Sequence, residues 1–339
     1  MEGPLRIALR CSSLVLVLFG TGCAHGEPFA VDDHRTDFPF ADTDPARLTL
    51  SGYPDLHPAW LPDGSGLLYS YIHAENPELD RCLGILPRTG GQRVREICRR
   101  SLADRDTIDA LDLPAVSAGG RLAYRRSAST PFGGVAEHTE LVAGTLEDPF
   151  EGPILRRLPF TGSDGKFYVA IEQPHWVGES GLVFLAQVEE IVSPCPGCDP
   201  VVILVNGGIV HLLADGSGTV SSIPGTESAT SVAVDGDGSL LLTREGDTRI
   251  FRRSLETGSE SVALDVAPAT PFAVSAGGGR ILAQVSGGFH VADPSAGTMT
   301  EVAAPGLAKP VLHPDGSVVV GVRFDPETFD SDLWRLTLP

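Results

Sequence analysis

Long helices, membrane-length apolar runs and basic residues are what this 339-residue chain has least of. No segment sustains a 3.6-residue apolar period, so the core is not built from amphipathic helices. Residues 11–22 form an uncharged apolar stretch of 12 residues, too short to span a bilayer. Lys and Arg number 25 against 44 Asp and Glu, a formal charge of −19. Such a surface repels phosphate backbones and anionic headgroups, which argues against nucleic acid as a partner. No serine sits in a Gly-x-Ser-x-Gly elbow, and no glycine loop is placed to cradle a phosphate. Methionine and tryptophan are also scarce, at two and three.

What the chain has in quantity is turns. Its 39 Gly and 27 Pro separate short Val/Leu/Ile runs, the pattern of many strands. The phrase His57-Pro58-Ala59-Trp60-Leu61-Pro62-Asp63-Gly64, followed by the apolar residues 67–72, reads as strand, tight turn, strand. Proline presets the first torsion of the turn, and Asp-Gly supplies a local hydrogen bond and a positive φ. The phrase returns as Pro310-Val311-Leu312-His313-Pro314-Asp315-Gly316.

Aligned on this turn, six copies begin at Pro58, Pro114, His175, Val232, Phe272 and Pro310, spaced by 56, 61, 57, 40 and 38 residues. The shorter spacings approach one four-stranded blade, and the longer ones carry insertions. Second strands are predicted at 67–72, 122–126, 182–187, 240–243, 281–285 and 318–322. Hairpins follow, as in 82–86 with 94–98 and 250–254 with 261–265. The sixth copy ends after its third strand, near Leu338. Residues 47–50 can supply the missing strand and remove two open sheet edges. The expected fold is all-β: a six-bladed β-propeller of four-stranded antiparallel blades over residues 46–339, its last blade closed by an N-terminal strand. Pro-Ala-Trp-x-Pro-Asp-Gly with Asp332-Leu333-Trp334 in the last copy resembles the WD40-like repeat of TolB-type propellers. That resemblance implies a periplasmic scaffold that binds other proteins by its disc face or channel, with no common catalytic set.

Residues 1–22 stand apart. Arg6 and Arg10 precede the apolar stretch, which closes on Gly20-Thr21-Gly22-Cys23. The order is that of a signal peptide, and its end resembles a bacterial lipoprotein box with Cys23 as the acylated residue. Ala24 matches outer-membrane sorting. The expected address is the periplasm, lipid-anchored to the outer membrane and touching membrane by that anchor only; without the lipid the chain is secreted. Residues 23–45, Asp- and Pro-rich, read as a tether, or alternatively as a lid strand across the domain.

Four cysteines remain once Cys11 leaves with the leader and Cys23 takes the lipid. Cys82 and Cys98 lie symmetrically about a Gly-Gly turn, so a disulfide between paired strands is expected, suited to an oxidising compartment. Cys195-Pro196-Gly197-Cys198 precedes a strand rather than a helix, lacks the His of a haem site and has no second cysteine pair for zinc. A local Cys195–Cys198 disulfide is favoured, with redox sensing as the other use.

Asp235-Gly236-Asp237-Gly238 starts like a calcium loop but has Gly246 where the bidentate Glu belongs, and it sits on a repeat turn. Residues opening the innermost strands converge on the channel of a propeller: Asp55, His57, Asp112, Glu172 and His175, with His313 a further candidate. They are either solvated rim or, alternatively, the ligands of a metal-dependent hydrolase or lyase. The leading expectation is an interaction scaffold for a protein or envelope component, with no catalytic residue, cofactor or metal. Substituting Cys23→Ser is expected to abolish lipid labelling and release the protein from membranes, read by metabolic palmitate labelling and fractionation.

Overall fold

The computed structural model describes residues 44–50, 53–72, 81–99, 108–129, 136–193, 195, 199–325 and 330–339. Among these residues the first strand is β1 (Ala46–Arg47), after which the chain runs out of the ring's centre blade by blade. Blade one is β2 (Leu56–Trp60), β3 (Gly66–Ile72), β4 (Arg81–Pro87) and β5 (Arg95–Ile97). Blade two is β6 (Ile108–Val116), β7 (Arg121–Ser129), β8 (Ala136–Thr145) and β9 (Ile154–Leu158). A two-residue strand, β10 (Phe160–Thr161), pairs with the start of β11 (Phe167–Val177), which leads blade three with β12 (Gly181–Val192) and β13 (Val201–Leu213). Blade four is β14 (Ala229–Val234), β15 (Leu240–Arg244), β16 (Arg249–Arg253) and β17 (Glu260–Asp265). Blade five is β18 (Ala273–Gly277), β19 (Arg280–Val285), β20 (Gly288–Asp293) and β21 (Thr298–Ala303). Blade six is β22 (Leu307–Leu312), β23 (Val318–Asp325) and β24 (Asp330–Thr337), completed by β1.

The ring closes where expected. Ala46 pairs with Arg335 and Arg47 with Trp334, and the Leu48 N–H donates to the Leu333 carbonyl at 2.8 Å. The closing strand is shorter than residues 47–50 and starts one residue earlier. Thr49 leaves the ladder but keeps its place by side chain, its Oγ1 accepting from the Leu333 N–H at 3.0 Å. The innermost strands β2, β6, β11, β14, β18 and β22 touch in succession, and β22 returns to β2. The blade is therefore six times repeated and the circle complete.

Six hydrophobic clusters fill the six seams between blades, which explains why second strands read as unbroken apolar runs. Along β3, Leu67, Tyr69 and Tyr71 enter the seam with blade six, while Leu68 enters the seam with blade two. Along β15, Leu240 and Leu242 face blade three and Leu241 faces blade five. Both faces are buried, so alternation is lost although strand geometry still alternates. Full burial of each such side chain contributes about 1.5–3 kcal/mol.

Two parts of the repeat reading need correction. Residue pairing equates Trp176 with Trp60, since each opposes the first apolar residue of its second strand, Leu182 and Leu67. The third copy therefore begins at Pro174, not His175. By the same test the fifth begins at Val274 rather than Phe272, because its turn is shorter (Gly277 pairs with Arg280). Blade three also lacks a regular fourth strand among the described residues; a single bridge, Val210 with Ser222, holds that place.

The turns have the expected chemistry. The Gly64 N–H donates to the Leu61 carbonyl at 2.9 Å, and Gly316 repeats this with His313 at 2.8 Å. Gly64 has φ +70° and lies so close to the His313 ring that a Cβ would collide with it. Cys82 and Cys98 form a disulfide, closing a loop for which chain entropy alone gives about 3 kcal/mol. Cys195 is disulfide-bonded, whereas Cys198 lies outside the described residues, as do Cys23, the expected leader and most of the expected tether.

Leu48 is fully buried in the first seam and Arg47 pairs with the buried Asp332. A chain starting at residue 44 is expected to melt like one starting at residue 23. One starting at residue 51 loses about 2–5 kcal/mol from Leu48 alone. Its midpoint should fall by roughly 10 °C, with aggregation from the opened edge, read by calorimetry and light scattering.

Candidate binding site at the channel mouth

Four innermost strands share a backbone feature. His57, Leu113, Gln173 and Lys309 have φ of 52, 50, 50 and 50°, and each is followed by the repeat proline: Pro58, Pro114, Pro174 and Pro310. Each lies in a β-bulge, seen as register shifts between Leu56 and Ala59, Asp112 and Ala115, Glu172 and His175, and Ala308 and Val311. Left-handed backbone costs a non-glycine residue about 1–2 kcal/mol. A bulge also re-aims the side chains beside it. Here it does so at equivalent places on four neighbouring blades around the channel.

Blades four and five have no proline at this place, so their amides need acceptors. The Gln173 Oε1 accepts from the Val232 N–H at 3.0 Å and from the Ser231 hydroxyl at 2.9 Å. The Ser231 Oγ in turn accepts from the Val274 N–H at 3.1 Å. Each blade thus supplies the acceptor for the next, and proline removes the donor where no acceptor is given.

The mouth itself carries mixed charge. Arg125 holds Asp112 in a fork, Nε to Oδ1 and a terminal nitrogen to Oδ2, both 2.7 Å. Arg81 adds a second cation 3.6 Å from the same carboxylate. It comes within reach because Arg81 pairs in parallel with Ala110, stitching blades one and two. Lys309 Nζ lies 3.2 Å from His57 Nε2, so the imidazole accepts and is neutral. Burial, then the Lys309 charge, pushes His57 down to about 3. Partial desolvation also lowers Lys309, against the attraction of Glu172 and Asp112. Glu172 is exposed and accepts from Gln187 at 3.1 Å.

Of the expected channel residues, His57, Asp112 and Glu172 meet at this mouth. Asp55 does not: it is fully buried in the slot that Leu111, Ile171 and Leu307 fill in other blades, and its N–H donates to the Ser331 carbonyl at 2.7 Å. His175 also turns away, into the seam with blade four. Burial pushes it down to about 4 against a bond with the Val232 backbone. His313 is buried at the ring's joint, its ring 4.5 Å from that of Trp60. Sequence reasoning missed Lys309, Arg125, Arg81 and Gln173. The signal for Lys309 and Gln173 was present, since both precede a repeat proline as His57 does.

Among the described residues no group of three or more His, Cys, Asp and Glu is gathered to hold a metal ion. Asp112 is paired with two arginines.

Fold and site together define a six-bladed β-propeller with a charged mouth. No family model matches the chain, and no curated protein does. Several solved structures are similar over most of this chain. An oligogalacturonate lyase from Vibrio parahaemolyticus is 13% identical, with TM-score 0.47 over 89% of this chain and 96% of that one. A gluconolactonase from Xanthomonas campestris is 16% identical, with TM-score 0.49 over 88% and 96%. TolB from Acinetobacter baumannii is 16% identical, with TM-score 0.47 over 81% and 64%. At this identity the likeness is one of fold alone.

Replacing Asp112 by Asn leaves two guanidiniums facing each other without their carboxylate. Removing one partner of a buried pair costs about 3–5 kcal/mol. Solvent reaches a quarter of the Arg125 side chain, so about 2 kcal/mol is expected here. The midpoint should fall by roughly 4–8 °C, measured by calorimetry.

Proposed function

We propose that this chain is a non-catalytic binding propeller of the bacterial cell envelope, lipid-anchored through Cys23 in the periplasm, and that it engages a partner protein. The observation that carries this reading is an apolar arm on blade three. The pairing of β11 with β12 ends at Val188, but β12 and β13 run on together as Glu189 with Leu204, Glu190 with Ile203, Ile191 with Val202 and Val192 with Val201. This ribbon is open on both faces: Ile191 is 73% exposed, Leu204 60% and Val202 59% on one, and Val201 44% and Ile203 39% on the other. Exposed aliphatic surface of this kind marks an interaction site, and the ribbon's unpaired edges invite a further strand.

The partner that fits is an extended, β-branched segment flanked by basic residues. Glu189, Glu190 and Asp199 edge the ribbon, and the whole chain carries −19, so basic flanks are attracted. The metal-dependent hydrolase or lyase has less support. A divalent ion at the mouth would meet Arg81, Arg125 and Lys309 before a free carboxylate pair.

A photo-crosslinking residue at position 202, in lipidated protein within its own envelope, is expected to give one discrete adduct; the same residue at Met299, exposed on blade five, should give none. Ile191→Asp with Leu204→Asp should cut the adduct at least tenfold while the midpoint moves little, surface changes costing within about 0.5 kcal/mol. Equal adducts from both positions, or an adduct indifferent to the double substitution, would end the reading.

A further inference from the structure

We infer that the channel mouth is a binding site for a small monocarboxylate anion, held between the Lys309 ammonium and the Arg81 and Arg125 guanidiniums. The inference stands apart from the arm, which lies on other strands. Three cations face two carboxylates, Asp112 and Glu172, at the mouth, so one positive charge is in excess within a strongly acidic protein.

That excess is not spread evenly. Arg125 spends two of its donor groups on Asp112. Arg81 reaches the same carboxylate only at 3.6 Å, which is an ion pair beyond hydrogen-bond range. Lys309 has no carboxylate within ion-pair distance among the described residues, and its hydrogen bond goes to a neutral imidazole. An ammonium seated on imidazole, with two arginines nearby, has donors to spare and is relieved by an anion. His57 Nδ1, which carries the ring proton when Nε2 accepts, is buried with no partner among the described residues. Its cost is accepted at the same spot.

The backbone adds a second, independent indication. His57 and Lys309 are both left-handed residues fixed by a following proline, strain that holds their side chains toward each other across the joint of the ring. Observed strain of this kind collects at ligand sites.

The charge count selects the ligand class. One excess positive charge suits a monoanion, whereas a dianion such as phosphate would meet Asp112 and Glu172 with charge left over. A carboxylate also matches guanidinium geometry. A divalent cation is opposed by all three basic groups.

The test is calorimetric titration of the whole mature chain with acetate, D-gluconate, inorganic phosphate, D-glucose and calcium. Saturable binding of acetate or gluconate is expected, tighter than phosphate, with none by glucose or calcium. Lys309→Met should weaken carboxylate binding about tenfold or more, equivalent to about 1.4 kcal/mol, with the midpoint unchanged. Lys309→Arg should retain it. Affinity should stay level from pH 6 to 8, because His57, pushed down to about 3, is already neutral there. At higher pH it should fall as Lys309 loses its proton. Absent carboxylate binding, binding indifferent to Lys309→Met, or preference for phosphate or calcium would overturn the inference.

Discussion

The joint between the first and last blades is the contact on which the rest of this ring depends. Trp60 Nε1 donates to the Val311 carbonyl across that seam at 3.1 Å, and His313 Nε2 meets the Gly64 carbonyl at 3.1 Å. The rings of Trp60 and His313 sit edge to face beside these bonds. All four residues belong to the two strongest copies of the repeat. Those copies are far apart in sequence and adjacent in space. Their turns have kept Pro-Asp-Gly where closure needs two turns to lock together. Trp176 repeats the first part of the device, donating to the Ala115 carbonyl of blade two at 3.1 Å.

Closure also decides what happens at the centre. Six innermost strands forced together at their starts bring amides and side chains into a narrow ring. Four blades answer with a bulge and a proline, which deletes a donor; two keep the donor and receive an acceptor from the preceding blade. The same bulge re-aims the residue before proline, so an architectural solution also furnishes the mouth with His57, Gln173 and Lys309. Structure and chemistry share these positions.

The two proposed surfaces differ in kind. The mouth is charged and assembled from blades one, two, three and six, with Arg125 and Arg81 turned onto Asp112. The arm is a single hairpin of one blade that leaves the disc and exposes aliphatic side chains. A mouth of net positive charge in an acidic protein suits a small anion, and an apolar ribbon with open edges suits a strand from a partner. They can act independently, because no element of the arm beyond Val188 belongs to the mouth.

Local chemistry wrote much of the fold into the sequence. Pro-Asp-Gly turns, apolar second strands and a last copy one strand short were enough for blade number, for closure and for the strands of every blade but the third, because turn torsions and strand burial act on neighbouring residues. The Cys82–Cys98 pairing was legible for the same reason, being local to one hairpin. The site was legible only in part. Asp55 and Asp112 look alike in sequence, yet one fills a leucine slot and the other faces the channel, a distinction set by their places before the bulge: the left-handed residue follows Asp55 by two positions and Asp112 by one. His175 lost its place at the mouth through a one-residue shift in register, which sends a side chain to the other face of a strand. Lys309 and His57 are separated by 252 positions, and only the closing of the ring puts an ammonium against an imidazole. The exposed arm was likewise hidden, since Val201 to Leu204 has the composition of a buried strand, and only the end of β11 at the disc edge leaves it uncovered. Sequence determined which segments become strands and how they turn; tertiary closure decided which of their side chains meet.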